Sequence, residues 1–473
     1  MEPNVPSPYL YQPLLAAPNS IRLLRLLPDT DKAEIRCEIF NYQLKAERSS
    51  GLYEALSYVW GNSPERKRLI IGGRNGAQAY LDVTTNLYAA LRRLRDPDVE
   101  RIVWVDAINI NQDDLEERGS QVQFMASIYS FASRVIVWLG EDDSGAAFEL
   151  IREAADGHQQ PENGSHGRKF GELVTLLKLQ WFRRIWVLQE VAAARSVLFI
   201  FGHEEITGGV FCRGLQALKQ HYEHDTTMQG LVGSIIQLVD WHPVHAGIKH
   251  VPGISKSSRL NILPLPELID MFHSHSATDR RDKVYALLGM STDSFDTTLL
   301  DADYNKPWST LFRDLVQTIL GPQVELTVSD SMELAIIRVK GFPLGIVTSV
   351  ENNIDSSGRQ RIRVESDPFP PVSQPDQPTW NAHWAIHSTT NSIEKGDILC
   401  LLQGAQAPTI VRVHKDHCSI ISAAIRPPKK VWAMNVNRRG SRYGPHDVDM
   451  IEWSKISQQI TEFPRDFLLT WNW

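Results

Sequence analysis

The sequence predicts an α/β fold, a parallel sheet flanked by helices, followed by a mainly helical region and a β-rich C-terminal module. Two observations carry the first part. Between Arg101 and Gly140 one apolar run, Ile102–Val105, stops at Asp106, and a second, Val135–Leu139, stops at Gly140, as buried strands would. Between these runs Val122, Met125, Ile128, Tyr129 and Ala132 recur at three- and four-residue steps, which places them on one helix face. Asp113 with Glu116 is a fitting start for that helix, because a carboxylate there accepts the free amide hydrogens of the first turn. Strand, loop, helix and strand make a right-handed βαβ unit with parallel strands. In such sheets, polar residues at the strand C-terminal ends line the crevice where ligands sit, and Asp106, Asn109, Asn111 and Gln112 fall there.

Before that unit, residues 1–20 hold five prolines and read as an irregular arm. Ile21–Leu27 and Ala33–Asn41 alternate as two strands of a hairpin across Pro28, Asp29 and Thr30. Leu52–Gly61 is a strand-like run ending in Trp60 and Gly61, where glycine lets the backbone turn sharply or approach a ligand. Lys67–Ile71 is a short strand with a turn at Gly72 and Gly73, and a helix from Thr85 carries Leu87, Leu91 and Leu94 on one side. After Gly140 a polar stretch contains a short helix, Ala146–Ala155, and then a loop. Helical patterning resumes at Phe170. In Trp181–Arg195, Ile185, Leu188 and Ala192 form one face and Trp186, Glu190 and Ala193 a neighbouring one, and Ser196–Phe201 reads as the last strand of the domain.

Later, Pro266–Ser274, Asp279–Leu288 and Pro307–Leu320 read as helices, with a break over His242–Pro264. Beyond Gly321 come short strand-like runs, among them Leu334–Val339, Arg361–Val364, Ile398–Leu402 and Ile410–Val413, separated by turns such as Ser366–Thr379. These changes of texture divide the chain into 1–205, 206–322 and 323–473.

Composition narrows the function. With 473 residues, more than one domain is expected; 42% hydrophobic and 22% charged residues are ordinary for a soluble protein. A net charge of −7 argues against general nucleic-acid binding, which needs a basic face. No apolar run approaches the roughly 20 residues that span a bilayer, and the N-terminus lacks the basic start and apolar centre of a secretory signal. Cys37, Cys212, Cys400 and Cys418 lie far apart, as free thiols of a reducing cytosol do. A cytoplasmic protein is expected.

Most enzyme signatures are missing: no P-loop, GxSxG elbow, GxGxxG after a strand or HExxH. His242 with His245, and His273 with His275, lack a third ligand of the expected kind, so no metal is assigned. Gly72, Gly73 and Gly76 shape a hairpin rather than hold a phosphate. What is left is a polar set expected at one sheet edge: Ser57, Tyr58, Trp60 and Gly61 from the first long strand, Asp106 and Asn111 from the central unit, and Trp186 and Glu190 from the later helix. A carboxylate beside an aromatic wall suits binding a ribose, or stabilising the positive charge that develops as a glycosidic bond breaks. The same residues admit a plain packing reading, with Glu190 solvated and Trp60, Trp104, Trp138 and Trp186 in the core.

YEALSYVWG at 53–61, WVDAININQDDLEERGSQVQFMASIYSFASRVIVWLG at 104–140 and FRRIWVLQE at 182–190 resemble, in order and spacing, the three blocks of the fungal heterokaryon incompatibility (HET) domain. TDRRDKVYALLG at 278–289 and GDILCLLQGAQAPTIVRV at 396–413 resemble segments that often follow it. Asn109 stands where the family usually has cysteine. The resemblance implies a signalling role in nonself recognition and programmed cell death, with self-association or another incompatibility protein as partner. Other family members sit beside secondary-metabolite genes. The family also looks distantly TIR-like, which implies a TIR-like or flavodoxin-like sheet. Several TIR domains cleave NAD with a helix glutamate that follows a tryptophan and three residues, and Trp186 to Glu190 has that form. By that analogy Glu190 is catalytic, NAD is a substrate rather than a cofactor, and Trp60 or Trp186 stacks on a base; fold likeness alone does not give the activity.

Overall fold

The computed structural model describes residues 6–15, 17, 19–30, 33–44, 52–61, 64–72, 78–142, 145–157, 165–219, 231–239, 260–272, 274–293, 300–328, 334–354, 359–366, 380–387, 392–433 and 450–472. Two units emerge, the first from 1–262, 274–292 and 301–305, the second from 263–273, 293–300 and 306–473. The span 206–322, expected as one helical region, contributes to both.

The first unit is built on a ten-stranded mixed sheet. Its strands are β1 (Ser7–Pro8), β2 (Ser20–Leu26), β3 (Arg36–Gln43), β4 (Glu54–Ser57), β5 (Arg66–Gly72), β6 (Gln78–Thr84), β7 (Arg101–Trp104), β8 (Val135–Trp138), β9 (Val197–Phe201) and β10 (Glu204–Thr207). They lie in the order β1-β6-β5-β3-β2-β7-β4-β8-β9-β10. The four strands β7, β4, β8 and β9 are mutually parallel. Every residue of β8 and β9 is buried, the continuous apolar pattern of strands covered on both faces.

The expected parallel sheet is therefore only the centre of a mixed one. The β2–β3 hairpin packs antiparallel against β7, and β10, rather than β9, is the last strand. The two strands of the central unit run parallel, as expected, but are not neighbours: β4 lies between them, pairing Ala55 with both Trp104 and Val135. The run Leu52–Gly61 is strand only over β4, so Tyr58, Trp60 and Gly61 leave the sheet at its C-terminal edge. Gly61 turns the chain there with φ +78.

Helices α1 (Thr85–Leu94), α2 (Asp106–Asn109), α3 (Leu115–Phe131), α4 (Gly145–Ala155), α5 (Ser165–Leu177), α6 (Trp186–Ala193) and α7 (Gly208–Ala217) belong to this part, as does the later helix Arg281–Leu288. The cap of α3 is Asp114, one residue beyond the expected Asp113, and its side chain accepts from the amides of Glu116 and Glu117. Besides the predicted face, Phe124, Ala126 and Ser127 of α3 are buried. The segment 301–305 also touches this helix, since a Cβ on Gly119 would come within 2.8 Å of the Ala302 carbonyl. The expected single helix Trp181–Arg195 is split into a 3-10 turn, Gln180–Arg183, and α6, where every residue is buried.

Asn109 and Glu117 anchor the loop after β7. Arg22, 2% exposed, makes a two-point ion pair with Glu117 (2.6 and 2.9 Å) and donates to the carbonyls of Asn109 (3.2 Å) and Gln12 (2.7 Å). Glu117 also accepts from the Asn111 amide at 2.7 Å. Asn109 Oδ1 accepts the Val105 amide at 2.6 Å, while its buried Nδ2 has no partner among the described residues. A cysteine there would lose the carbonyl acceptor.

The second unit holds the helices Leu265–Phe272 and Trp308–Leu320 and a β-rich sheet whose shorter strands are β11 (Glu325–Val328), β18 (Lys430–Ala433) and β19 (Met450–Glu452). Its long strand β12 (Leu334–Ile354) and the strands β15 (Ile398–Leu402), β16 (Thr409–Val413), β17 (Cys418–Ser422) and β20 (Arg465–Asn472) pair in a closed ring. On its other side β12 continues through β13 (Arg359–Ser366) to β14 (Trp380–His387). The strand changes partners near Gly345, where a Cβ would stand 2.4 Å from the Glu365 carbonyl. The expected strands over 334–413 all fall on β-strands here, whereas the turn 367–379 and the sites His242, His245, His273, Gly73 and Gly76 lie outside the described residues.

Among the described residues no helix is long and apolar enough to cross a membrane. No cysteine forms a disulfide, and Cys37, Cys212 and Cys400 are buried.

Replacing Arg22 with methionine strands the Glu117 carboxylate in a nearly dry setting. This should cost about 3–5 kcal/mol in urea denaturation, and adding Glu117→Leu should recover most of it. A single variant as stable as wild type would show that the pair does not hold this loop.

Candidate functional site at the parallel strand ends

Three chain segments meet at the C-terminal edge of β7 and β4. Ser57 ends β4, Asp106 opens α2 directly after β7, and Arg184 to Glu190 run through the start of α6. Parallel pairing sets this convergence, because it brings strand C-termini to the same edge.

At the base lies Glu190, 1% exposed. The Ser57 hydroxyl donates to its Oε2, and the Trp181 indole N–H donates to Ser57 Oγ at 2.8 Å. Tyr129 adjoins the same carboxyl, with its hydroxyl 3.1 Å from the Leu56 carbonyl. Nearer the surface, Trp60 donates its indole N–H to Asp106 Oδ2 at 2.8 Å, and Tyr58 also bonds the Asp106 carboxyl. Arg184 donates to the Tyr58 carbonyl and lies in the fields of both carboxylates. Its own backbone is held by Ser276, whose carbonyl accepts from the Ile185 amide at 3.0 Å.

Electrostatics sets the two acids apart from ordinary carboxylates. Burial pushes Glu190 up to about 7, against the pull of Arg184 and the Ser57 hydrogen bond. Asp106 is raised for the same reason, opposed by Arg184, Trp60 and the Ala107 amide. Burial by itself would lower Arg184, but the charges of Glu190 and Asp106 outweigh it and hold the guanidinium above its usual range. A carboxyl that titrates near neutrality can exchange protons at physiological pH, and Arg184 supplies a fixed positive charge beside it.

Of the predicted residues, Ser57, Tyr58, Trp60, Asp106 and Glu190 come together, with Gly61 as the adjoining turn. Asn111 does not join them: its backbone N–H donates to Glu117 and its side-chain oxygen accepts from the Asp113 amide. Trp186 is adjacent in sequence but turns its indole N–H to Asp282, which also accepts from the Tyr304 hydroxyl at 2.6 Å. It is buried, whereas Trp60 is 39% exposed. The packing reading holds for Trp104, Trp138 and Trp186 and fails for Glu190, which is not solvated. Reasoning from sequence missed Arg184, Tyr129 and Trp181. Arg184 had one available signal, a charged pair, Arg183 and Arg184, inside an otherwise apolar run. Among the described residues no group of three or more His, Cys, Asp or Glu could hold a metal ion, and His275 is buried.

Residues 53–190 match the family model described as heterokaryon incompatibility protein (HET). This segment is a HET domain. It begins at Tyr53, just before β4, and ends on Glu190, so it contains each member of the carboxylate cluster. The chain is also 28% identical over 358 residues to heterokaryon incompatibility protein 6, OR allele, of Neurospora crassa, a match covering 63% of this chain and 51% of that protein. It thus spans about half the length of the curated relative. No solved structure matches the chain. The HET segment is not self-contained: the hairpin β2–β3 and residues 274–292 belong to the same unit, and Gly289 sits against the Gln189 side chain of α6 so closely that a Cβ would overlap it.

Glu190 binds more protons folded than unfolded, because its value rises from the usual 4.5 to about 7. Its contribution is intact below the unfolded value and is lost as pH rises through the folded one. Glu190→Gln keeps an acceptor for Ser57 and removes this loss. The variant should match wild type at low pH and exceed it by on the order of 3 kcal/mol at alkaline pH, read by urea denaturation. Identical pH dependence in the two proteins would show that Glu190 ionises normally.

Proposed function

We propose that the chain is a signalling protein of fungal nonself recognition whose HET domain drives programmed cell death through self-association or contact with another incompatibility protein in the cytoplasm. The observation that carries this is the HET match over 53–190, which coincides with the segments that build the carboxylate cluster. The similarity to a protein named for heterokaryon incompatibility supports it. Induced expression of the full chain in a fungal host should arrest growth. A truncation at residue 205 should not, because it removes the residues 274–292 that brace Arg184 and α6. Absence of both a growth defect and any association by the full chain would overturn the proposal.

A second reading concerns mechanism: TIR-like cleavage of NAD. It is favoured by a glutamic acid titrating near 7 beside Asp106 and the exposed Trp60. Here the bond from ribose to nicotinamide breaks with its electron pair leaving on nicotinamide, Glu190 stabilises the ribosyl cation, and water adds to it and releases a proton. Trp60 stacks on a base, and Ser57 and Asp106 position hydroxyls. Glu190 is closed to solvent in this conformation, so this reading requires that assembly open the site. Concentrated, oligomeric protein should consume NAD, and Glu190→Ala should slow this about a thousandfold. Intact NAD, or an unaffected variant, would eliminate this mechanism while leaving the signalling role standing.

A further inference from the structure

The second unit contains a cavity of about 190 Å³ that the HET site does not use. The helix Leu265–Phe272 presents Glu267 and Asp270 to it, three residues apart on one face. Facing them are Arg359 at the start of β13, Trp384 of β14, and Ser422 and Arg426 at and beyond the end of β17. Its polar lining is divided by chemistry. Ser422, 1% exposed, donates to Asp270 Oδ2 at 2.5 Å, while Arg426 reaches Glu267 at 3.4 Å and Arg359 also acts on that carboxylate.

We infer that this cavity binds a free apolar amino acid, its ammonium group on Asp270 and its carboxylate on the Arg359 and Arg426 side, with the side chain against Trp384 and Ile425. Size, charge and surface agree on this class. The volume is below the roughly 300–1,000 Å³ of drug-sized sites, so the occupant is small. With Asp270 ionised, as in the occupied site, two carboxylates and two guanidiniums balance, which suits a ligand that carries one charge of each sign. Trp384 and Ile425 are buried apolar walls, 2% and 3% exposed.

Protonation adds a signature. Burial pushes Asp270 up to about 8, with Glu267 adding to the rise and Ser422 and the Ala423 amide opposing it. The other charged or titratable lining groups are Arg359, Arg426 and His383. At neutral pH the empty site therefore holds a proton on Asp270, and an arriving ammonium displaces it to the buffer. The carboxylic acid becomes a carboxylate paired with the cation, and no other bond changes.

Calorimetric titration of the full chain with L-leucine, L-isoleucine, L-methionine and L-phenylalanine tests this. At least one should bind, with a heat that varies with buffer ionisation enthalpy as about one proton is released. The N-acetyl and amide derivatives of that amino acid, each lacking one charge, should bind at least about tenfold more weakly. Asp270→Asn, which imitates the protonated empty state and should fold normally, should weaken binding by a similar factor, and so should Arg359→Gln. Lack of binding by all four amino acids overturns the inference. Equal binding of the blocked derivatives does so too, and needs no variant.

Discussion

The first unit depends on one constraint: a carboxyl group, Glu190, is placed where three parallel strands end and is sealed from water. An isolated charge there would be costly, and the surroundings meet that cost in two ways. Ser57 and Tyr129 lie against the carboxyl, and Arg184 offers opposite charge nearby. Burial still dominates, so the group titrates near neutrality. Parallel pairing of β4 with β7 brings Ser57 and the β7–α2 junction to one edge of the sheet, and β8 follows on the other side of β4.

Around this core the polar residues of the central block divide into two jobs. Asp106 and Tyr58 belong to the carboxylate cluster. Asn109, Asn111 and Glu117 bind the loop to Arg22, a residue far away in sequence, and so set where Asp106 points. Residues beyond the HET segment serve the cluster in the same way: Ser276 pairs with the Arg183–Ile185 backbone, and Asp282 takes the indole N–H of Trp186. A site assembled from local motifs is thereby made dependent on distant ones.

The second unit shows a different use of similar chemistry. Asp270 is also raised by burial, but it faces a cavity and is bonded by a serine, whereas Glu190 is closed in. Access, more than the shift itself, separates a group able to meet a ligand from one that first needs a rearrangement.

By itself the sequence determined the elements whose signal is local. The alternating hairpin, the leucine face of α1, the buried runs of β7 and β8 and the residues Ser57, Tyr58, Trp60, Asp106 and Glu190 were all legible, because side-chain period and strand ends are written in adjacent residues. Only the tertiary structure decided that β4 separates β7 from β8, that Asn111 and Trp186 serve the framework, and that Arg184, Tyr129 and Trp181 join the cluster. Those outcomes rest on pairing between segments distant in the chain, and neither periodicity nor spacing carries information about which distant donor will meet a given acceptor.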